Sequence, residues 1–216
     1  MAKTSREYKE LSVKEFTKAA EKYESDHAGV YELCKKDYPD ILAEIEKEPF
    51  DTLLDAGCGP APMISLLSEK YPDKHYTGID LTAKMIEVAE RKGIANAEFV
   101  VGDCENLPFA EDSFDVVICS MSAHHYPEIG RFYASVYRVL KPGGRLILRD
   151  MTTDNKVVRW LVSHLEMPLA AAIGKGDVDM LRREDVAAGM EKAGLKVECC
   201  EVRKGMRLHA VGRKPE

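Results

Sequence analysis

Residues 53–62 read LLDAGCGPAP: a short apolar run, an aspartate, Gly57-Cys58-Gly59, and two prolines around Ala61. A strand that runs into Gly-x-Gly and then a helix is a ligand-binding turn, because glycine permits a tight bend and close backbone approach. The dinucleotide fingerprint needs a third glycine, and that position, counted from Gly57, holds Pro62. Pro60 and Pro62 also remove two of the N–H donors on which a pyrophosphate would rest, while still letting a helix begin. The turn therefore suits a ligand without phosphates.

Outward from this turn, short β-rich runs alternate with helical ones. The strands are TLLDA (52–56), HYTGID (75–80), AEFVVG (97–102), FDVVICS (114–120) and RLILRDM (145–151). Between them lie the helical runs MISLLSEKY (63–71), AKMIEVAERKG (83–93) and IGRFYASVYRVL (129–140). The alternation predicts βαβ units and a mostly parallel sheet. In the second helix Met85, Val88 and Ala89 follow helical spacing, Thr82 is the expected N-cap and Gly93 the expected stop. Pro142, Gly143 and Gly144 predict a turn before the fifth strand. A helix over 182–194 and two apolar runs flanking Arg203-Lys204-Gly205 predict a closing antiparallel hairpin.

Ahead of the sheet, residues 11–47 carry two helical apolar sets, Leu11, Phe16, Ala19, Ala20 and Tyr23, then Val30, Leu33, Ile41, Leu42 and Ile45. Residues 1–48 are thus expected to form an N-terminal helical cap segment on a main domain over 49–216, within a single domain overall.

The composition bounds the function. With 45% hydrophobic and 31% charged residues, the 216-residue chain can bury a large core. The 37 acidic against 31 basic residues give a net charge of −6, which opposes binding along nucleic acid. Apolar runs such as FDVVICSM (114–121) are far short of a bilayer span, and MAKTSREYKE at the start lacks an apolar signal region. A cytoplasmic protein with no membrane span is expected. The six cysteines lack C-x-x-C spacing, so no disulfide framework is expected, and adjacent Cys199 and Cys200 read as strand residues before they read as a thiol metal site.

Asp80 ends the second strand about 20 positions beyond the glycines, where a carboxylate accepts from both hydroxyls of a ribose. That anchor supports an adenosine ligand without separating nicotinamide cofactors from others.

Asp55-Ala56-Gly57-Cys58-Gly59-Pro60-Ala61 resembles the D-x-G-x-G-x-G motif of class I S-adenosylmethionine-dependent methyltransferases, with Ala61 in place of the last glycine. Gly102-Asp103 through Leu107-Pro108-Phe109, followed by Asp112-Ser113-Phe114-Asp115-Val116-Val117, is similar to a second landmark of that family, and Leu140-Lys141-Pro142-Gly143-Gly144 to a third. The resemblance covers roughly residues 50–150 and points to the small-molecule branch related to quinone-biosynthesis enzymes. It implies an α/β fold: a doubly wound, Rossmann-like, mostly parallel seven-stranded sheet with an antiparallel C-terminal hairpin.

The same resemblance implies S-adenosyl-L-methionine as cofactor. Asp55 would orient the loop beneath its methionine part, with Gly57 and Gly59 in that cofactor-binding loop; Asp80 would grip the ribose, Asp103 the adenine amino group and the Cys104 backbone the ring, with Met85 lining the adenine pocket, Ser120 bordering the cofactor and Leu81 a further cofactor contact. A methyl at Ala61 is expected to cost no more than its own packing volume.

On the acceptor side, His124 and His125 lie in the loop after the fourth strand, where a neutral imidazole can take a proton from an attacking nucleophile. Packing and substrate lining stand beside that reading. Adjacent histidines cannot present the i, i+4 face of a helical metal pair, so no metal is expected. Tyr23, Tyr126 and Arg149 are candidate substrate contacts, although Arg149 also reads as the partner of Asp150. Trp160 is a candidate lid residue. The expected function is methyl transfer to a small organic acceptor. An NAD-linked oxidoreductase and a non-catalytic cofactor-binding protein are the alternatives. The front helices suit either a lid or a homodimer surface.

Overall fold

The structure, a computed structural model, describes residues 3–25 and 29–216. Seven strands form one sheet: β1 Thr52–Ala56, β2 His75–Asp80, β3 Ala97–Val101, β4 Phe114–Ser120, β5 Leu140–Met151, β6 Lys196–Arg203 and β7 Arg207–Arg213. Their order is β3-β2-β1-β4-β5-β7-β6. Pairs from β3 to β5 are parallel, and β7 runs antiparallel to both β5 and β6.

Neighbouring residues of a strand face opposite sides of a sheet, so an unbroken apolar strand needs a layer on each side. Leu53, Val116, Ile118 and Ile147 join one core, with Ile41 and Ile45 of α3 (Tyr38–Ile45), Ile64 and Leu67 of α4 (Pro62–Lys70), and Ile86 of α5 (Ala83–Glu90). Leu54, Val117, Cys119, Leu146 and Leu148 join the other, with Phe132 and Val136 of α6 (Ile129–Val139) and Val186 and Met190 of α9 (Arg183–Lys192). The expected doubly wound sheet with its antiparallel hairpin is the one observed. The chain leaves β1 outward to β3 and returns to β4 beside β1, which opens a crevice at the carboxyl ends of β1 and β4.

The front segment differs from its expectation in two ways. Helix α1 (Ser5–Ala19) starts well before residue 11, because Thr4 and Glu7 close a capping box. Helix α3 belongs to the sheet's own layer through Ile41 and Ile45, whereas α1 lies over the crevice. A short α2 (Gly29–Lys35) stands between them.

Pro142-Gly143-Gly144 does not end β5's pairing. Phe114 faces Leu140 and Val116 faces Arg145, so residues 141–144 loop out as a bulge while Gly143, at φ +75°, donates to the Lys214 carbonyl at 3.0 Å. Gly93 lies beyond α5 at φ +63°, as expected of a stop. Thr82 holds the N-cap position without a side-chain cap bond. Helices α7 (Lys156–Leu161) and α8 (Met167–Ala172) flank a π-helical turn at Val162–Glu166. Cys199 and Cys200, consecutive in β6, point to opposite faces and cannot share one ion.

Candidate active site

The glycine turn hangs from β2. The N–H groups of Gly57 and Cys58 both donate to the Ile79 carbonyl, at 2.8 and 3.0 Å. Gly57 has φ +79°, and a β-carbon there would meet Ser122 Oγ at 2.0 Å and Tyr126 Oη at 2.9 Å, so this position admits only glycine. Gly59 has φ +53° and its N–H donates to Asp80 Oδ2 at 3.0 Å. The second oxygen of Asp80 accepts from Thr82 N–H at 2.8 Å. The carboxylate that ends β2 thus shapes the turn that ends β1.

Ala61 corrects one expectation. It sits at φ 59°, ψ 47°, fully buried, immediately before α4. The cost of replacing glycine is therefore backbone strain, about 1–2 kcal/mol for a left-handed L-residue, and not methyl packing.

Two continuous hollows meet over this turn, with about 580 and 450 Å³ of open space. Asp55, Gly57, Gly59, Asp80, Met85 and Ser120 line the first, together with Phe16, Tyr23, Tyr38, Met121 and His125. Leu81, Asp103 and Cys104 line the second, with Lys9 and Tyr126, and Gly57, Asp80, Phe16, Ser122 and His125 border both. Every residue expected at the cofactor therefore borders one crevice. Met85, 1% exposed, is both core and wall.

Asp55 is the electrostatic anomaly. Burial, with the Asp80 charge second, raises its carboxyl to about 7, and no hydrogen bond from the described residues pulls it back. Burial also raises Asp80, although the N–H groups of Thr82 and Gly59 oppose it. Two buried acids side by side make a place for a cation-bearing ligand. At the other end Asp103 Oδ2 accepts from Lys9 Nζ of α1 at 2.7 Å, and Lys9 also bonds the buried Glu105. Sequence reasoning missed Lys9 because its only signal, a lysine on a helix, is common.

The acceptor-side candidates divide. Tyr23 lines the hollow, its hydroxyl 3.7 Å from Cys34 Sγ. Tyr126 is held behind the glycine turn, its hydroxyl 2.8 Å from Ser122 Oγ and its ring against Phe132, so it supports Gly57 from below. Arg149 is brought elsewhere. It is 1% exposed and bonds Asp37 at 2.6 Å and Asp40 at 2.9 Å under α3, so it lines neither hollow and does not pair with Asp150. Alternation along β5 sends the two side chains to opposite faces. Trp160 is half exposed and stacks on His164, away from the crevice.

Asp150 instead holds His124, whose Nδ1 lies 2.7 Å from Asp150 Oδ1 and whose backbone N–H donates to Oδ2 at 3.1 Å. Burial lowers the His124 imidazole, but the Asp150 charge and hydrogen bond outweigh it and the net shift is upward. His125 borders both hollows, packs edge-on against Phe16 with ring centroids 5.0 Å apart, and is lowered by burial. Asp177, from the segment after α8, stands 3.5 Å from His124 Nε2 and 3.6 Å from His125 Nδ1. A spacing rule for helices has no way to anticipate this third group.

Comparison with known proteins agrees with the crevice. A family model described as "Methyltransferase domain" matches residues 54–148. The phthiotriol/phenolphthiotriol dimycocerosates methyltransferase of Mycobacterium leprae is 42% identical over 111 residues, 51% of this chain and 41% of that protein. The demethylmenaquinone methyltransferase of Thermotoga maritima is 30% identical over 151 residues, 68% of this chain and 64% of that protein. This chain thus spans less than half the length of the first relative and under two thirds of the second. The 1,6-didemethyltoxoflavin-N1-methyltransferase of Burkholderia thailandensis, solved with 1,6-didemethyltoxoflavin and S-adenosylhomocysteine, has a TM-score of 0.72 at 17% identity, covers 100% of this chain and 92% of its own, and shares the fold. Among the described residues no helix is long and apolar enough to cross a membrane. The match over residues 54–148, the sheet order and the methyltransferase relatives together support a class I S-adenosylmethionine-dependent methyltransferase.

Proposed function

We propose that this chain transfers a methyl group from S-adenosylmethionine to a small, largely apolar organic acceptor. The observation that carries the reading is the Asp55–Asp80 pair over a turn that only glycine can make at residue 57. Asp55, buried without a hydrogen bond from the described residues, fits a ligand bearing an ammonium and a sulfonium. In this reading Asp80 accepts from the ribose diol and Asp103 from the adenine amino group, which their positions on the crevice wall support. When bound, the cofactor supplies an electrophilic methyl.

The chain's residues do the rest. Phe16, Tyr23, Tyr38 and Met121 wall the other side of the first hollow, which favours an apolar acceptor and excludes water around the reacting atoms. The dimycocerosates and demethylmenaquinone in the relatives' names support that class. His124 Nε2 and His125 Nδ1 converge on Asp177, so in this reading neither imidazole is free as a general base in the crevice and positioning carries most of the rate.

The test is methyl transfer from a radiolabelled donor to a panel of fatty acids, polyketide-like alcohols and demethylated quinones. Label in at least one apolar product is expected. Label only in water-soluble products, with none in the apolar panel, would contradict the acceptor class.

A further inference from the structure

The loop after β4 and the segment after α8 bring two imidazole nitrogens and a carboxylate oxygen together. His124 Nδ1 lies 2.7 Å from a carboxylate that also accepts from the N–H groups of His124 and Met151, so Nδ1 carries a ring proton and Nε2 presents its lone pair when the ring is neutral. His125 Nδ1 is buried with no hydrogen-bond partner among the described residues. In the tautomer protonated at Nε2, this unpartnered nitrogen offers a second lone pair. Both face Asp177 Oδ1, at 3.5 and 3.6 Å, and the three atoms lie within 4.8 Å of one another.

We propose that His124 Nε2, His125 Nδ1 and Asp177 Oδ1 bind one divalent transition-metal ion of the zinc class. Metal bonds of about 2.0–2.1 Å in a tetrahedron put ligand atoms about 3.3–3.4 Å apart, which both measured edges approach. Two imidazoles and one carboxylate form a donor set that zinc accepts, with one position left for water or an acceptor oxygen. Asp150 plays the outer partner, since a carboxylate on the far nitrogen of a ligating histidine fixes its tautomer and aims its lone pair. The Val178 N–H donates to the His124 carbonyl at 3.0 Å and the Ser12 hydroxyl to the Gly176 carbonyl at 3.3 Å, so the ligand-bearing strands of chain are already joined. The ion would pin residues 174–178 to the β4 loop beside the crevice. The binding site stands on these atoms alone, and only its role in turnover rests on the proposed methyl transfer.

The experiment is titration of chelator-treated full chain with zinc chloride by calorimetry, alongside cobalt substitution read by visible absorption. One ion per chain is expected, with affinity falling about 100-fold or more in Asp177→Asn and in His125→Gln. S-adenosylhomocysteine should bind Asp177→Asn as it binds the parent, which separates failure of the metal site from failure of the cofactor site. No saturable zinc binding by the folded parent chain would overturn the proposal. So would stoichiometric binding that survives both substitutions, since the ion would then lie elsewhere.

Discussion

Asp80 Oδ2 accepts the backbone N–H of Gly59 at 3.0 Å, so the acid at the end of β2 and the glycine turn after β1 form one unit. The carboxylate proposed to bind the ribose and the close-approach loop therefore cannot be altered independently. Asp80→Ala removes the loop contact and the diol acceptor together, and should weaken S-adenosylhomocysteine binding about 100-fold or more, given about 1.4 kcal/mol per tenfold. Asp80→Asn keeps one acceptor oxygen and should lose less. Calorimetry on both variants checks this, and equal affinities for Asp80→Ala and parent would remove the ribose role.

Asp55 makes cofactor binding pH-dependent. Its folded-state pKa of about 7 lies above the ordinary carboxylate value of 3.8, so the folded, ligand-free protein holds this proton more tightly than the unfolded chain. The carboxyl's contribution to stability is then greatest below pH 4 and is lost as pH rises through 7. A cationic cofactor needs the ionised form, so affinity should fall as pH drops from 8 to 6, with proton release on binding. Calorimetry in buffers of different ionisation enthalpy measures that release, and Asp55→Asn should abolish it while leaving the ligand-free protein at pH 8 no less heat-stable.

Ala61→Gly exchanges left-handed strain for a more flexible unfolded chain and a lost buried methyl. These oppose each other at about 1 kcal/mol each, so the melting midpoint should barely move. Ala61→Val adds a β-branched side chain at φ 59° in a fully buried site and should cost more than about 2 kcal/mol. Denaturant titrations of the two variants distinguish a backbone constraint from simple packing volume.

Lys9 ties α1 across the Asp103 end of the crevice by bonding Asp103 and the buried Glu105. Lys9→Met should leave Glu105 without its cation, speed hydrogen exchange through Ser5–Ala19, and weaken cofactor binding about tenfold. Stopped-flow dissociation should show the change in the off-rate. An unchanged off-rate would make Lys9 a surface charge only.

What the sequence disclosed followed physical locality. The apolar alternation of Leu53-Leu54, Val116-Val117 and Ile147-Leu148 marks a sheet covered on both faces, and the crevice residues are strand ends and the turns beside them. The capping box at Thr4 and Glu7 was also present to be read, and would have placed the start of α1. Groups joined by tertiary contact were not legible. Arg149 meets Asp37 across 112 positions and Lys9 meets Asp103 across 94, and no local pattern encodes either pairing. The left-handed conformation of Ala61 hides behind a residue that ordinarily signals helix.

The central claim is that the Asp55–Asp80–Asp103 crevice holds S-adenosylmethionine. Calorimetric titration of the purified chain with S-adenosylmethionine, S-adenosylhomocysteine and NAD tests it most directly. Saturable one-to-one binding of the first two at micromolar levels, lost in Asp80→Ala, and no binding of NAD is the predicted result. Binding of NAD with no binding of either S-adenosyl compound would contradict it.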